Sequence, residues 1–191
     1  MSALNIKKGS TSHSAYDLRD SNAQVEESHT LAVIVENEPG VLARVIGLFS
    51  GRGYNIDSLT VAEVDHTGHR SRITIVTRGT PQVLDQIEAQ LQKMVSTRHV
   101  QNVTKDPDGV ERELALIKVR GKGDARNEAA RLADIFRAKI IDVTETSYVV
   151  ELTGTSQKLD AFIQAVPEGL VVEVVRSGPT GIARGEKGLT L

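Results

Sequence analysis

The chain has 191 residues, 39% of them apolar, which suffices for a buried core in one large domain or two small ones. A formal net charge of -2 excludes a general electrostatic attraction to nucleic acid or to anionic membranes. Cysteine is absent, which excludes disulfides and thiolate metal sites.

Aromatic residues make up only 3% of the chain and Trp is absent, so the core must be built from Val, Ile, Leu and Ala. No apolar run approaches the roughly 20 residues that span a bilayer. The first residues lack the apolar stretch of a signal peptide, and the expected location is the cytoplasm. Residues 1–28 are rich in Ser, Asp, Glu, Asn and Lys and show neither helical nor strand periodicity. They read as a mobile tail.

From Thr30 the pattern becomes regular. "TLAVIVEN" alternates Leu31, Val33 and Val35 against Ala32, Ile34 and Glu36, and reads as a strand. A helix follows, with Leu42, Val45, Ile46 and Phe49 at i, i+3, i+4, i+7 expected to face inward. The two glycines of "SGRGYN" end it. "NIDSLTVAEV" reads as a second strand, "DHTGH" as a turn with Gly68 placed for positive φ, and "RSRITIVTRG" as a third strand. Pro81 opens a second helix with Leu84, Ile87, Leu91 and Met94 inward, and "HVQNVTKD" reads as a fourth strand.

After the turn "PDG" at Pro107 to Gly109 the pattern restarts. "ELALIKVR" is a strand, "DARNEAARLADIFRA" a helix with Ala129, Leu132, Ala133 and Phe136 on one face. "KIIDVTETS" and "YVVELTGT" are paired strands. "SQKLDAFIQAV" is a helix with Ser156 as its expected N-cap, and "LVVEVVRSG" closes the set.

The order β-α-β-β-α-β thus occurs twice, the ferredoxin-like arrangement of two helices on one face of a four-stranded antiparallel sheet. The fold class is α+β. The expected divisions are a tail over 1–28, one domain over 29–106, a second over 111–178, and a tail over 179–191. The face of each sheet opposite its helices is expected to meet another sheet or another subunit, so the chain is expected to form oligomers. "RSGPTGIARGEKG" near the end reads equally well as a frayed tail or as a grip on a partner.

The corner "NEPGVLARV" can carry chemistry. The first N–H groups of a helix have no intrahelical partner, and the helix dipole adds partial positive charge there. Such an end receives a carboxylate or phosphate, and Gly40 lets an anion approach the backbone closely. Asn37 both donates and accepts, which suits the neighbouring ammonium and carboxylate of an amino acid. Asn55, in "GYNI", supplies a second amide. The competing reading is plainer: Asn, Pro and Gly are ordinary turn residues, and an Asn ahead of a helix is usually its cap. The matching corner of the second repeat, "VRGKGDARNEAA", carries Lys122 and Asp124 in place of the Asn-x-Pro-Gly arrangement, so the two corners are expected to differ in role.

"HTLAVIVENEPGVLARVIGLFSGRGYNIDSLTVAEV" resembles the N-terminal ACT domain of the small, regulatory subunit of acetolactate synthase (acetohydroxyacid synthase). The resemblance continues through "EREL", "IFRAKIIDVT", "ELTGTSQKLDAF" and "VVEVVRSGPTGIARG", and covers nearly everything from Ser28 to Gly188. It implies a non-catalytic subunit that holds no cofactor of its own. Its partner would be a catalytic large subunit that uses thiamine diphosphate, FAD and magnesium to condense pyruvate with pyruvate or 2-oxobutyrate. The small subunit would raise that activity and confer feedback inhibition by a branched-chain amino acid, usually valine, in the biosynthesis of valine, leucine and isoleucine. It also implies a homodimer through ACT domains with the effector at their interface. Asn37, Gly40, Val41 and Leu42 would line the site from one subunit, and Asn55 and Ile56 from the other. Pro39 departs from relatives that carry a small polar residue there, and removes one possible N–H donor.

Other constellations carry less. His66 and His69 flank Gly68 beside Asp65, but a solvated hairpin turn explains them without a metal. "RGKGD" lacks the spacing of a phosphate loop. No Ser, His and Asp spacing suggests a nucleophile and its base. The rival functional reading is a stand-alone amino-acid sensor controlling a different enzyme or regulator.

Overall fold

The computed structural model describes residues 25–186 and 188–189, so most of the expected N-terminal tail lies outside the described residues. Strand β1 (Glu27–Glu36) begins inside the segment read as tail, because Glu27 and Ser28 pair with Gly79 and Arg78. It is followed by α1 (Val41–Ser50), β2 (Ser58–Asp65), β3 (Arg70–Gly79), α2 (Pro81–Gln92) and β4 (Thr97–Asn102). These strands form an antiparallel sheet in the order β2-β3-β1-β4. The second unit comprises β5 (Gly109–Arg120), α3 (Asp124–Ile135), β6 (Lys139–Val143), β7 (Ser147–Gly154), α4 (Ser156–Ala165), β8 (Val171–Arg176) and β9 (Thr180–Ala183). Its sheet runs β6-β7-β5-β8, with β9 added along the start of β5. Both βαββαβ units expected from the repeat are therefore present.

Alternation along β1 sends Leu31, Val33 and Val35 toward the helices, where they meet Ile73, Ile75, Leu84 and Phe49 in a closed apolar core. Ala115, Ile117, Val150, Leu152, Leu159 and Phe162 build the equivalent core of the second unit. The rings of Phe136 and Phe162 meet edge to face there, 5.4 Å between centroids.

Three details differ from expectation. The inward row of α1 is Val41, Val45 and Phe49, at i, i+4, i+8, while Ile46 is 38% exposed. The helix is apolar around most of its circumference, so spacing alone does not set its rotation. Helix α4 is capped by Thr155, whose hydroxyl accepts from the Lys158 N–H, and Ser156 instead donates its hydroxyl to Glu113. In the turn after β2, positive φ falls on His69 (48°) rather than on Gly68. The Asp65 carboxylate takes the N–H groups of Thr67 and Gly68, which closes the turn without a left-handed glycine.

The segment 177–183 is not simply a loose end. The strand β9 pairs Thr180–Ala183 with Arg112–Gly109 and comes into contact with β1. Arg72 donates to the Gly181 carbonyl, and Gly178 packs so closely on Ser58 that an added Cβ would lie 1.7 Å from its Oγ. Ala32 and Ile34, on the β1 face away from the helices, are almost fully buried. The first sheet's second face is thus partly covered by the same chain. The second sheet keeps Leu114 and Val175 exposed.

Candidate functional site

The corner between β1 and α1 is fastened at its base. The Asn37 N–H donates to the His69 carbonyl at 2.6 Å, and the Glu36 N–H to the Ser96 carbonyl at 2.9 Å. The chain then turns through Glu38 and Pro39 and enters α1 at Gly40, which has φ 82° and ψ -2°. That left-handed conformation is where glycine alone carries no Cβ penalty. Gly40, not Asn37, is the N-cap, and no side chain caps α1.

The contrast with α2 and α4 is direct. Both have a threonine N-cap in extended conformation whose hydroxyl accepts an N–H three residues on. At α1 the Val41 N–H reaches the Glu38 carbonyl, while the N–H groups of Leu42 and Ala43 find no partner among the described residues. The Asn37 side chain is exposed and equally unengaged there. The turn residues therefore do not spend themselves on capping: they leave donors and an amide facing outward. Helix α3 also begins at a glycine, Gly123, but carries Asp124 in its first turn, an acidic group at the positive end. Helix α1 has no acidic residue in its first turn.

Val41 belongs to the core at 7% exposure, and Leu42 is partly buried against it. Asn55 and Ile56 lie elsewhere. The Asn55 carbonyl accepts the Thr77 hydroxyl at 2.6 Å, and the Asn55 amide donates to Asp57 at 2.6 Å. Asp57 in turn pairs with Arg78 at 2.7 Å. Asn37 is tied to residue 69, so the two amides sit at opposite ends of β3. At about 3.3 Å per residue that is roughly 25 Å, too far to share one small ligand within a chain.

A second copy can close that gap. Strand β2 is a free edge of the first sheet. On α1 and β2, Ile46, Val61 and Val64 are 38%, 45% and 40% exposed. Val61 stands opposite Ile73 and so points to the face that carries α1. Antiparallel approach of two such β2 edges would bring the start of one β2, with Asn55 and Ile56, toward the end of the other, where the Asn37 corner lies.

One residue at the corner escapes a reading based on turn chemistry. Arg44, in the first turn of α1, folds back so that a Cβ on Gly40 would lie 3.6 Å from its Nη1, and it pairs with Glu38. The signal was available in the sequence as a basic residue where helices favour acidic ones.

A cavity of about 650 Å³ separates the two units, lined by Asp57, Ser58 and Arg78 on one side and Glu113, Arg176 and Gly178 on the other. Glu113 is only 4% exposed and receives two Arg176 hydrogen bonds, at 2.8 and 2.6 Å, and the Ser156 hydroxyl at 2.9 Å. Arg176 holds the Glu113 carboxyl below its ordinary range, against the opposing effect of burial. None of the six candidate residues lines this cavity.

The fold and this corner define the class: a tandem ferredoxin-like protein whose first unit is an ACT-type domain. The family model described as AHAS small subunit-like ACT domain matches residues 31–99, and that described as small subunit of acetolactate synthase matches residues 112–185. The chain is 50% identical over 160 residues to the acetolactate synthase small subunit of Haemophilus influenzae, covering 83% of this chain and 97% of that one. It is 51% identical over 158 residues to the acetolactate synthase isozyme 3 small subunit of Escherichia coli, covering 82% and 96%. The crystal structure of the acetolactate synthase small subunit from Thermotoga maritima superposes with a TM-score of 0.75 at 40% identity, covering 84% of this chain and 99% of that one. The chain belongs to the acetolactate synthase small-subunit family.

Proposed function

We propose that this chain activates the catalytic large subunit of acetolactate synthase and makes it sensitive to feedback inhibition by valine or a related branched-chain amino acid. In this reading the chain itself is non-catalytic, works in the cytoplasm, and leaves thiamine diphosphate, FAD and magnesium to its partner. The observation that carries the effector's place is the uncapped, left-handed start of α1 beside an unengaged Asn37.

The effector sits between two ACT domains paired through their β2 edges. The free N–H groups of Leu42 and Ala43 take its carboxylate, and Gly40 leaves room for that approach. Asn37 of one copy and Asn55 of the other hold the polar groups. Leu42 and Ile56 flank the isopropyl group, and Val41 supports the corner from the core. An effector that binds the inhibited arrangement more tightly shifts the complex toward it by linkage.

The test is acetolactate formation by the cognate catalytic subunit, with and without this chain, across a valine titration. The proposal requires stimulation that valine reverses. Valine binding with unaltered holoenzyme activity would refute the regulatory mechanism, and absence of stimulation at any ratio would refute the subunit role.

A further inference from the structure

Arg44 is a cation at the wrong end of a helix. It occupies the first turn of α1, where the dipole disfavours positive charge, and its guanidinium points back toward the helix start. Its carboxylate partner is Glu38, from the turn that precedes the helix. Arg44 and Glu38 are both about half exposed, at 48% and 51% of their side chains. Such a pair is weak and readily exchanged. Among the described residues, the acidic group paired with this cation thus comes from the turn just ahead of the helix, next to the N–H groups that no side chain caps.

We infer that Arg44 is a carboxylate-recognising, specificity-determining residue of the effector site, and that Glu38 is its built-in competitor. The inference rests on the effector reading above. Without ligand, the Glu38 carboxylate neutralises Arg44. An amino acid bound at the α1 start places its own carboxylate between the Leu42 and Ala43 N–H groups and the Arg44 guanidinium, and Glu38 turns out to solvent. A planar guanidinium and two backbone donors together select a carboxylate over a neutral amide. The ligand's ammonium is left to the amide oxygens of the asparagines.

Calorimetric titration of the full chain with L-valine and with L-valinamide tests this, on the unaltered protein and on Glu38→Gln, Arg44→Gln and the double variant. Removing the competitor in Glu38→Gln raises valine affinity about two- to fivefold. Removing the cation in Arg44→Gln lowers it about tenfold or more, as loss of a charge-assisted hydrogen bond does. Arg44→Gln also narrows the preference for valine over valinamide, and the Glu38→Gln gain shrinks in its background. A merely structural Arg44 would change both ligands alike. Valine affinity within twofold in Arg44→Gln, or weaker binding in Glu38→Gln, would overturn the inference while leaving the effector reading intact. No valine binding by the unaltered chain would overturn both.

Discussion

Gly40 bears two demands at once, a left-handed φ of 82° and an open approach to the start of α1. Its replacement by aspartate addresses both. The strain of a side chain there is about 1 kcal/mol, which lowers Tm by a few degrees at most. The new carboxylate, however, would stand close to Arg44 at the start of α1, and in the function proposed above would fill the effector's carboxylate position from within. We expect Gly40→Asp to lose valine binding in calorimetry while staying folded, and Gly40→Ala, with the strain but no charge, to retain measurable binding. Equal losses in the two variants would mean that shape rather than charge governs the corner.

The corner was legible in the sequence as far as its residue types: a glycine and an asparagine where a strand hands over to a helix. Which residue caps the helix was not legible. Capping depends on φ and ψ over Asn37 to Gly40, and the same four letters fit a capped or an uncapped start. The distance between Asn37 and Asn55 was equally hidden, because it follows from how far β3 carries the chain between their two anchoring points.

At the scale of elements, the strands announced themselves by β-branched alternation, and β3 occupies the residues its pattern marks. The rotation of α1 was less legible, since Leu42, Ile46 and Leu48 offer apolar side chains on more than one side. Packing chooses the Val41, Val45 and Phe49 row, and Phe49 is 1% exposed. Phe49→Ala should therefore cost about 3–5 kcal/mol in denaturant unfolding, against less than about 1 kcal/mol for Ile46→Ala on the exposed flank. Strand β9 was invisible for another reason. Four residues have no periodicity to speak of, and their partners at Gly109–Arg112 lie some seventy positions away.

The segment around β9 also joins the two units. Gly178→Ala adds a Cβ where Ser58 stands and where φ is 75°, and should destabilise the chain by about 1–3 kcal/mol. The Glu113–Arg176 pair supplies a pH-dependent component. Because the folded carboxyl titrates below its ordinary value, its contribution is complete above the unfolded pKa of about 4.3 and fades as pH falls through the lower folded value. Arg176→Met leaves Glu113 buried without its cation and should cost about 3 kcal/mol at pH 7. The deficit should shrink in unfolding measurements below about pH 4 as the carboxyl protonates. A deficit that grows toward acid pH would contradict this sign.

At the scale of the whole molecule, each unit closes its own core, yet the first leaves a free strand edge at β2 with Ile46, Val61 and Val64 exposed nearby. The asparagines expected to hold one effector stand at opposite ends of that unit. In the function proposed above, a second copy covers that edge and brings the two asparagines together, so the effector site is shared between two chains. The direct test mixes two full-length variants, Asn37→Ala and Asn55→Ala, each impaired in valine binding, and reads binding stoichiometry by calorimetry after subunit exchange. A shared site predicts that the mixed dimer regains one intact site of its two, built from the Asn37 of one chain and the Asn55 of its partner. No recovery on mixing, with exchange verified, would contradict the shared site and place any valine binding within a single chain.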